Sequence, residues 1–185
     1  MKEIDSNIEK IIAGCLKNDR WSQRQLYDRY SSKLYGLCRR YSSSDEEAED
    51  VLMEGFMKVF KSLDSFRHKS SFETWLTSVM LNVAISHFRS STRFRREIFT
   101  EDMDSEEFVE EAEEIRTNLV ADQLLELIRK MPEMMRVVFN LKAVDDYSFM
   151  EIAGMIGKSE NAVRNSYMRG RKWLMDRLKL EKESF

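Results

Sequence analysis

Asn161, Arg164, Asn165, Met168, Arg171 and Lys172 recur at helical spacing near the end of the chain, and all but the methionine donate hydrogen bonds. Arginine can bond two acceptors of guanine and asparagine can bond both ways to adenine, while lysine and arginine hold phosphates. The order along the stripe, base-reading types early and phosphate-holding types late, suits a helix lying in the major groove of duplex DNA. A solvated basic face is the competing reading. Val163, Tyr167, Gly170, Leu174 and Leu178 fall on the opposite face, so the helix has a side to bury.

The residues just upstream would position that helix. Ser148 with Glu151 three places later forms a capping box at the start of a first helix. Gly157 supplies the left-handed residue of a sharp turn, and Ser159 caps the second helix. Ala153, Gly157 and Val163 stand four and six residues apart, the spacing of a helix-turn-helix with a small residue at the crossing. Ile152, Ile156, Val163 and Tyr167 supply its buried contacts. Ahead of it, Leu124, Leu127, Ile128 and Met131 form one apolar helix face. Pro132 sits at the first turn of the next helix, where its missing N–H does no harm, and Met135, Val138 and Phe139 point inward from it.

Four more helices are legible before residue 90. Their apolar sets are Ile4, Ile8, Ile11, Ile12 and Cys15; Leu26, Tyr30, Leu34, Leu37 and Tyr41; Ala48, Val51, Leu52, Phe56, Val59, Phe60 and Leu63; and Phe72, Trp75, Leu76, Val79 and Val83. Capping boxes are expected at Ser22 with Gln25, Ser44 with Glu47 and Ser70 with Glu73. The expected fold is therefore all-α, as two small helical domains, residues 1–92 and 119–185, joined by a flexible linker at 93–118.

Charge follows the same division. Residues 1–99 hold 17 Lys/Arg against 14 Asp/Glu, residues 100–118 one against nine, and residues 119–185 twelve against ten. Two mildly basic blocks flank an acidic segment that is too poor in apolar residues to offset its ordering entropy. The net charge of -3 conceals this pattern. There is no nucleophile–base pair, zinc spacing or phosphate-cradling glycine loop, so no catalytic residue, metal ligand or cofactor is expected. Cys15 and Cys38 read as reduced core residues. An apolar run of about eighteen residues and a secretory leader are both lacking, which predicts a cytoplasmic protein with no membrane insertion.

Three stretches resemble the extracytoplasmic-function (ECF) sigma factors of the bacterial sigma-70 family. Ala48-Glu49-Asp50-Val51 through Phe56 to Phe60 is similar to the family's polymerase-clamp helix. Phe72-Glu73-Thr74-Trp75-Leu76 through Asn82 to Arg89 is similar to its minus-ten recognition helix. Met131-Pro132, then Arg136, Val138, Phe139 and Leu141, then Glu151-Ile152-Ala153 and Ser159-Glu160 through Arg169-Gly170-Arg171, resembles the domain that reads the minus-thirty-five element. The chain departs from the family at Met53, often Gln; at Ser86, often Asp; and at Lys158, usually apolar.

The resemblance implies a transcription initiation factor whose partners are core RNA polymerase, promoter DNA and an anti-sigma factor, any magnesium belonging to the polymerase. It implies that Glu49, Asp50 and Glu54 face the polymerase, where the bland reading is an acidic first turn that suits the helix dipole. It implies that Phe66, Arg67, His68 and Lys69 lie in a loop that captures a flipped base, where Phe66 could equally anchor the core. Thr74, Ser78, Asn82 and Arg89 line one polar face and would meet opened DNA, while Trp75 packs inward. It adds Ser159 and Arg169 to the DNA-facing set of the last helix. Two rival readings remain: a helix-turn-helix regulator with an N-terminal sensor or dimerisation domain, and a helical adaptor that binds only protein.

Overall fold

The computed structural model describes residues 6–90 and 121–183. Ile4, the basic patch Arg93, Arg95 and Arg96, and the whole acidic run lie outside the described residues. The helices are α1 (Ser6–Leu16), α2 (Arg20–Tyr41), α3 (Asp45–Ser62) and α4 (Phe72–Ser90), with a 3-10 turn at Leu63–Ser65. They continue as α5 (Ala121–Arg129), α6 (Glu133–Phe139), α7 (Phe149–Ile156) and α8 (Glu160–Glu183), with a π turn at Asn140–Val144 between α6 and α7. No strand occurs among the described residues. None of their helices is long and apolar enough to cross a membrane. The chain packs as two units that divide between Ala84 and Ile85.

In the first unit most of the periodic apolar positions form the core, while Tyr30, Phe60, Trp75 and Val79 are half-buried. Ile8, Ile11, Ile12, Cys15, Leu26, Leu34, Leu37, Tyr41, Ala48, Val51, Leu52, Phe56 and Val59 are all buried. Gly55 permits a close approach: a Cβ there would overlap the Met80 side chain of α4. Helix α4 is buried more widely than one face, since Met80, Leu81 and Ala84 join Phe72, Leu76 and Val83 inside.

The caps hold in part. Ser44 caps α3, its Oγ accepting from the Glu47 N–H at 3.2 Å, while Glu47 reaches back to the Ser43 N–H at 2.6 Å. Ser22 does not cap α2. Asn18 turns left-handed at φ 58, and the Asp19 carboxylate caps instead, accepting from the Ser22 N–H at 2.9 Å and its hydroxyl at 2.6 Å. The helix thus starts ahead of Ser22 because an equally good cap precedes it. Ser70 is likewise displaced by its neighbour: the Thr74 N–H donates to Ser71 Oγ at 3.1 Å. Starting α4 at Phe72 lets that ring pack on Tyr30, and Glu73 pairs with Lys33 of α2 rather than returning to a serine.

The second unit is built on α6 and α8. Leu127, Ile128, Met131, Phe139, Leu174 and Leu178 form one cluster, with Leu124, Met135, Tyr167 and Trp173 packed on it. Met131 lies just past α5, and Pro132 stands at the cap position of α6, one residue before the expected first turn. Its carbonyl accepts from the Arg136 N–H at 2.9 Å. Helix α6 has no solvent face of any size. Besides Val138 and Phe139 it buries Glu133, Met134, Arg136 and Val137, with Asn140 and Leu141 just beyond.

Candidate nucleic-acid interface

The capping box at α7 forms as its sequence requires. Ser148 Oγ accepts from the Glu151 N–H at 3.3 Å, and the Glu151 carboxylate accepts from the Ser148 N–H at 2.8 Å and its hydroxyl at 2.7 Å. These bonds, the hydroxyl first, hold the Glu151 carboxyl below its ordinary range. Gly157 closes α7 at φ 72, and both its N–H and that of Lys158 donate to the Ala153 carbonyl. The Ala162 N–H then donates to Ser159 Oγ at 3.2 Å, capping α8. Ile152, Ile156 and Val163 are buried where the two helices pack, and Tyr167 is half-buried.

On the outer face of α8 the predicted residues divide by exposure. Ser159, Asn161, Arg164 and Lys172 are exposed, while Asn165, Met168, Arg169 and Arg171 are half-buried. Arg171 lies 6.0 Å from the Tyr167 ring centroid. Arg164 Nη2 donates to Glu160 Oε1 at 3.1 Å, and its guanidinium carbon sits 4.6 Å from the Phe149 ring centroid. Phe149 and Glu160 were not among the residues expected at this face. Each neighbours a predicted cap, but only the folded helix crossing brings Phe149 beneath Arg164.

Polar residues inside the second unit were also unforeseen. Arg136 is 2% and Asn140 0% exposed. Arg136 Nη1 donates to the Arg129 carbonyl at 3.1 Å, and Asn140 Nδ2 to the Arg136 carbonyl at 2.9 Å. Arg136 thus reaches the carbonyl of the last residue of α5, where helix geometry leaves an acceptor over, while Asn140 adds a side-chain donor to a carbonyl that already accepts from its own N–H. Their role is to hold the scaffold of the helix-turn-helix.

In the first unit Glu49, Asp50 and Glu54 are exposed on α3. Met53 and Met57 stand beside them at 56% and 55% exposure. A groove of about 370 Å³ runs alongside, lined by Tyr27, Ser31, Ser32, Tyr35, Glu49, Leu52 and Met53. An acidic helix face bearing exposed methionines next to an aromatic groove suits a protein partner more than solvent, because methionine adapts to irregular surfaces.

After the 3-10 turn, Phe66 is half-buried, with its ring 5.3 Å from Phe72 and 5.5 Å from Trp75. Trp75 is half-buried in the same cluster. Arg67, His68 and Lys69 are exposed around Phe66. His68 holds φ 55, and its ring lies 4.5 Å from that of Phe66. Phe66 is thus an anchor with part of its surface still open. Thr74, Ser78, Asn82 and Arg89 are all exposed on α4. Two of them bond locally: Thr74 Oγ1 pairs with Ser71 Oγ at 2.7 Å, and Ser78 Oγ donates to the Trp75 carbonyl at 2.7 Å.

Burial pushes the Cys15 thiol up to about 11 and the Cys38 thiol up to about 12, so both stay protonated and poorly nucleophilic at neutral pH. Among the described residues no three His, Cys, Asp or Glu side chains group as a metal site.

Residues 26–94 match the family Sigma-70 region 2, and residues 121–174 match Sigma-70, region 4. The ECF RNA polymerase sigma factor SigW of Bacillus subtilis is 28% identical over 187 residues, spanning 93% of this chain and 97% of that one. The ECF RNA polymerase sigma-E factor of Haemophilus influenzae is 25% identical, spanning 92% and 94%. Among solved structures, the sigma factor RpoE of Bartonella quintana, in complex with the anti-sigma factor NepR, superposes with a TM-score of 0.53. It is 22% identical, over 84% of this chain and 96% of that one, and the likeness is one of fold.

Proposed function

The chain belongs to the extracytoplasmic-function branch of the sigma-70 family, and from that premise we propose how its residues divide the work of starting transcription. It is a transcription initiation factor that binds core RNA polymerase and promoter DNA. The observation that carries this reading is the match of two sigma-70 regions, in order, to a chain that spans nearly the full length of its ECF relatives.

In this reading residues 1–92 form the domain that binds the polymerase and the minus-ten element. Residues 93–118 form the linker, and residues 119–185 read the minus-thirty-five element. Glu49, Asp50 and Glu54 meet a basic polymerase surface, with Met53 and Met57 filling the contact between the charges. On the second domain α8 enters the major groove. Asn161, Arg164 and Asn165 meet base edges, with Met168 beside them. Ser159, Arg169, Arg171 and Lys172 hold the backbone.

Strand opening falls to the first domain. Taking a base out of the stack costs a few kcal/mol, and the open part of Phe66 offers a stacking surface that offsets some of it. Arg67, His68 and Lys69 surround that surface with donors. Thr74, Ser78, Asn82 and Arg89 carry the separated strand along α4. Asn82 and Arg89 make the principal polar contacts, since Thr74 and Ser78 already have local partners.

The protein supplies no catalysis or cofactor of its own and acts in the cytoplasm. An anti-sigma factor is its natural antagonist, the solved relative being captured with one. The test is addition of the purified chain to core polymerase with a library of random promoters. Promoter-dependent run-off transcripts are expected. Sequence-specific duplex binding without such transcripts would make it an ordinary helix-turn-helix regulator. Absence of any DNA dependence would make it a protein-binding adaptor.

A further inference from the structure

An exposed arginine samples many rotamers, and ordering it on DNA loses that freedom. Two contacts restrict Arg164 beforehand. One is the ion pair to Glu160 a turn earlier, at 3.1 Å. Both partners are nearly half exposed, so this pair is screened and weak, and the carboxylate would also be repelled by DNA phosphates. The other contact is the Phe149 ring, 4.6 Å from the guanidinium carbon. Phe149 opens α7 directly after the Ser148 cap. Its ring is half-buried, with Tyr167 5.5 Å away on α8. The Lys142 ammonium lies 5.5 Å from the same ring, so two cations converge on it.

A guanidinium packed on a ring keeps its in-plane N–H groups available, and those groups bond guanine in pairs. The geometry points to Phe149 as a positioning residue for base reading by Arg164. Phe149 sets sequence preference from outside the groove-facing helix, by fixing the arginine that stacks on it. This inference rests on the reading of α8 as the helix in the major groove.

The test uses holoenzyme made from core polymerase and the full chain, with duplexes selected from randomised minus-thirty-five sequences and their single-base variants. Phe149→Leu and Phe149→Met remove the ring face but keep an apolar side chain, Phe149→Tyr retains it, and each is also combined with Arg164→Ala. Thermal melts of every variant show whether the helix-turn-helix still folds. Phe149→Leu and Phe149→Met are expected to lower discrimination about two- to fivefold, only at the base pairs where Arg164→Ala also lowers it. Phe149→Tyr should behave as the native chain, and in the Arg164→Ala background the Phe149 changes should alter nothing further.

Equal weakening on every duplex, or an undiminished effect in the Arg164→Ala background, would reduce Phe149 to a packing residue and overturn the proposal. So would an Arg164→Ala variant that discriminates as well as the native chain. Failure to join core polymerase would instead count against the functional reading, and the same duplex comparison with the chain alone would still decide the role of Phe149.

Discussion

Arg164 and Lys172 are both exposed cations on α8, yet a duplex should use them differently. Arginine's planar fork can match two acceptors on one base, whereas lysine is a point charge on a flexible stem. Arg164→Ala or Asn165→Ala should therefore relax preference at one or two base pairs, at about 1–3 kcal/mol for a good bidentate contact. Lys172→Ala should weaken all sequences alike and shallow the salt dependence by roughly one unit of slope. Binding to cognate and scrambled duplexes across a salt series checks both, and equal losses on the two duplexes for Arg164→Ala would remove its role as a reader. These positions were legible because donors at helical spacing opposite Val163 and Leu174 define a face. The half-burial of Asn165 and Met168 was not, since periodicity gives direction but not how near the next helix stands. The Phe149 contact was hidden for the same reason: it stands fifteen positions before Arg164, and only the turn at Gly157 closes that gap.

Whole elements were read best where local chemistry and periodicity agreed, as at α3 and at the capping box of α7. Where two candidate caps compete, the pattern alone does not choose. Asp19 displaced Ser22, and Ser71 displaced Ser70 once Phe72 found Tyr30 and Phe66 to pack on. Helix α6 was half legible. Its inward Val138 and Phe139 were evident, but apolar spacing gave no sign that Arg136 and Asn140 are buried, with backbone carbonyls as their partners. Helix α4 carries the most consequential division, a wide buried side beneath an exposed row of Thr74, Ser78, Asn82 and Arg89. If that row and Phe66 handle the separated strand, Phe66→Ala with Asn82→Ala should impair opening of a normal duplex, read by permanganate reactivity. A pre-melted bubble should restore part of the activity, because the cost of unpairing is removed in advance. No recovery on the bubble, together with lost core binding, would mean that these side chains serve the fold alone. That outcome is a real hazard at Phe66, whose ring is packed on those of His68, Phe72 and Trp75.

At the scale of the molecule, two regions of helices were evident from apolar spacing, and the change of charge between them was evident from composition. The segment between carries Glu101, Asp102, Asp104, Glu106, Glu107, Glu110, Glu111, Glu113 and Glu114, outside the described residues. Nine like charges in nineteen residues repel one another, so a neutral spacer would join two domains more simply. Repulsion extends such a chain and helps it span separated promoter elements. The charge also gives it the character of a short nucleic acid. By analogy with the family, the segment would occupy the polymerase channel that later holds nascent RNA. A length-matched Gly/Ser linker separates this role from that of a tether. Core binding and promoter opening should be retained, while the yield of short abortive RNAs and the rate of promoter escape should change. A lysine linker of the same length should perform worse still, because attraction to DNA and RNA would replace repulsion. If the Gly/Ser chain instead matches the native one in both abortive and full-length transcripts, the acidic charge has no part in initiation and the linker is only a spacer.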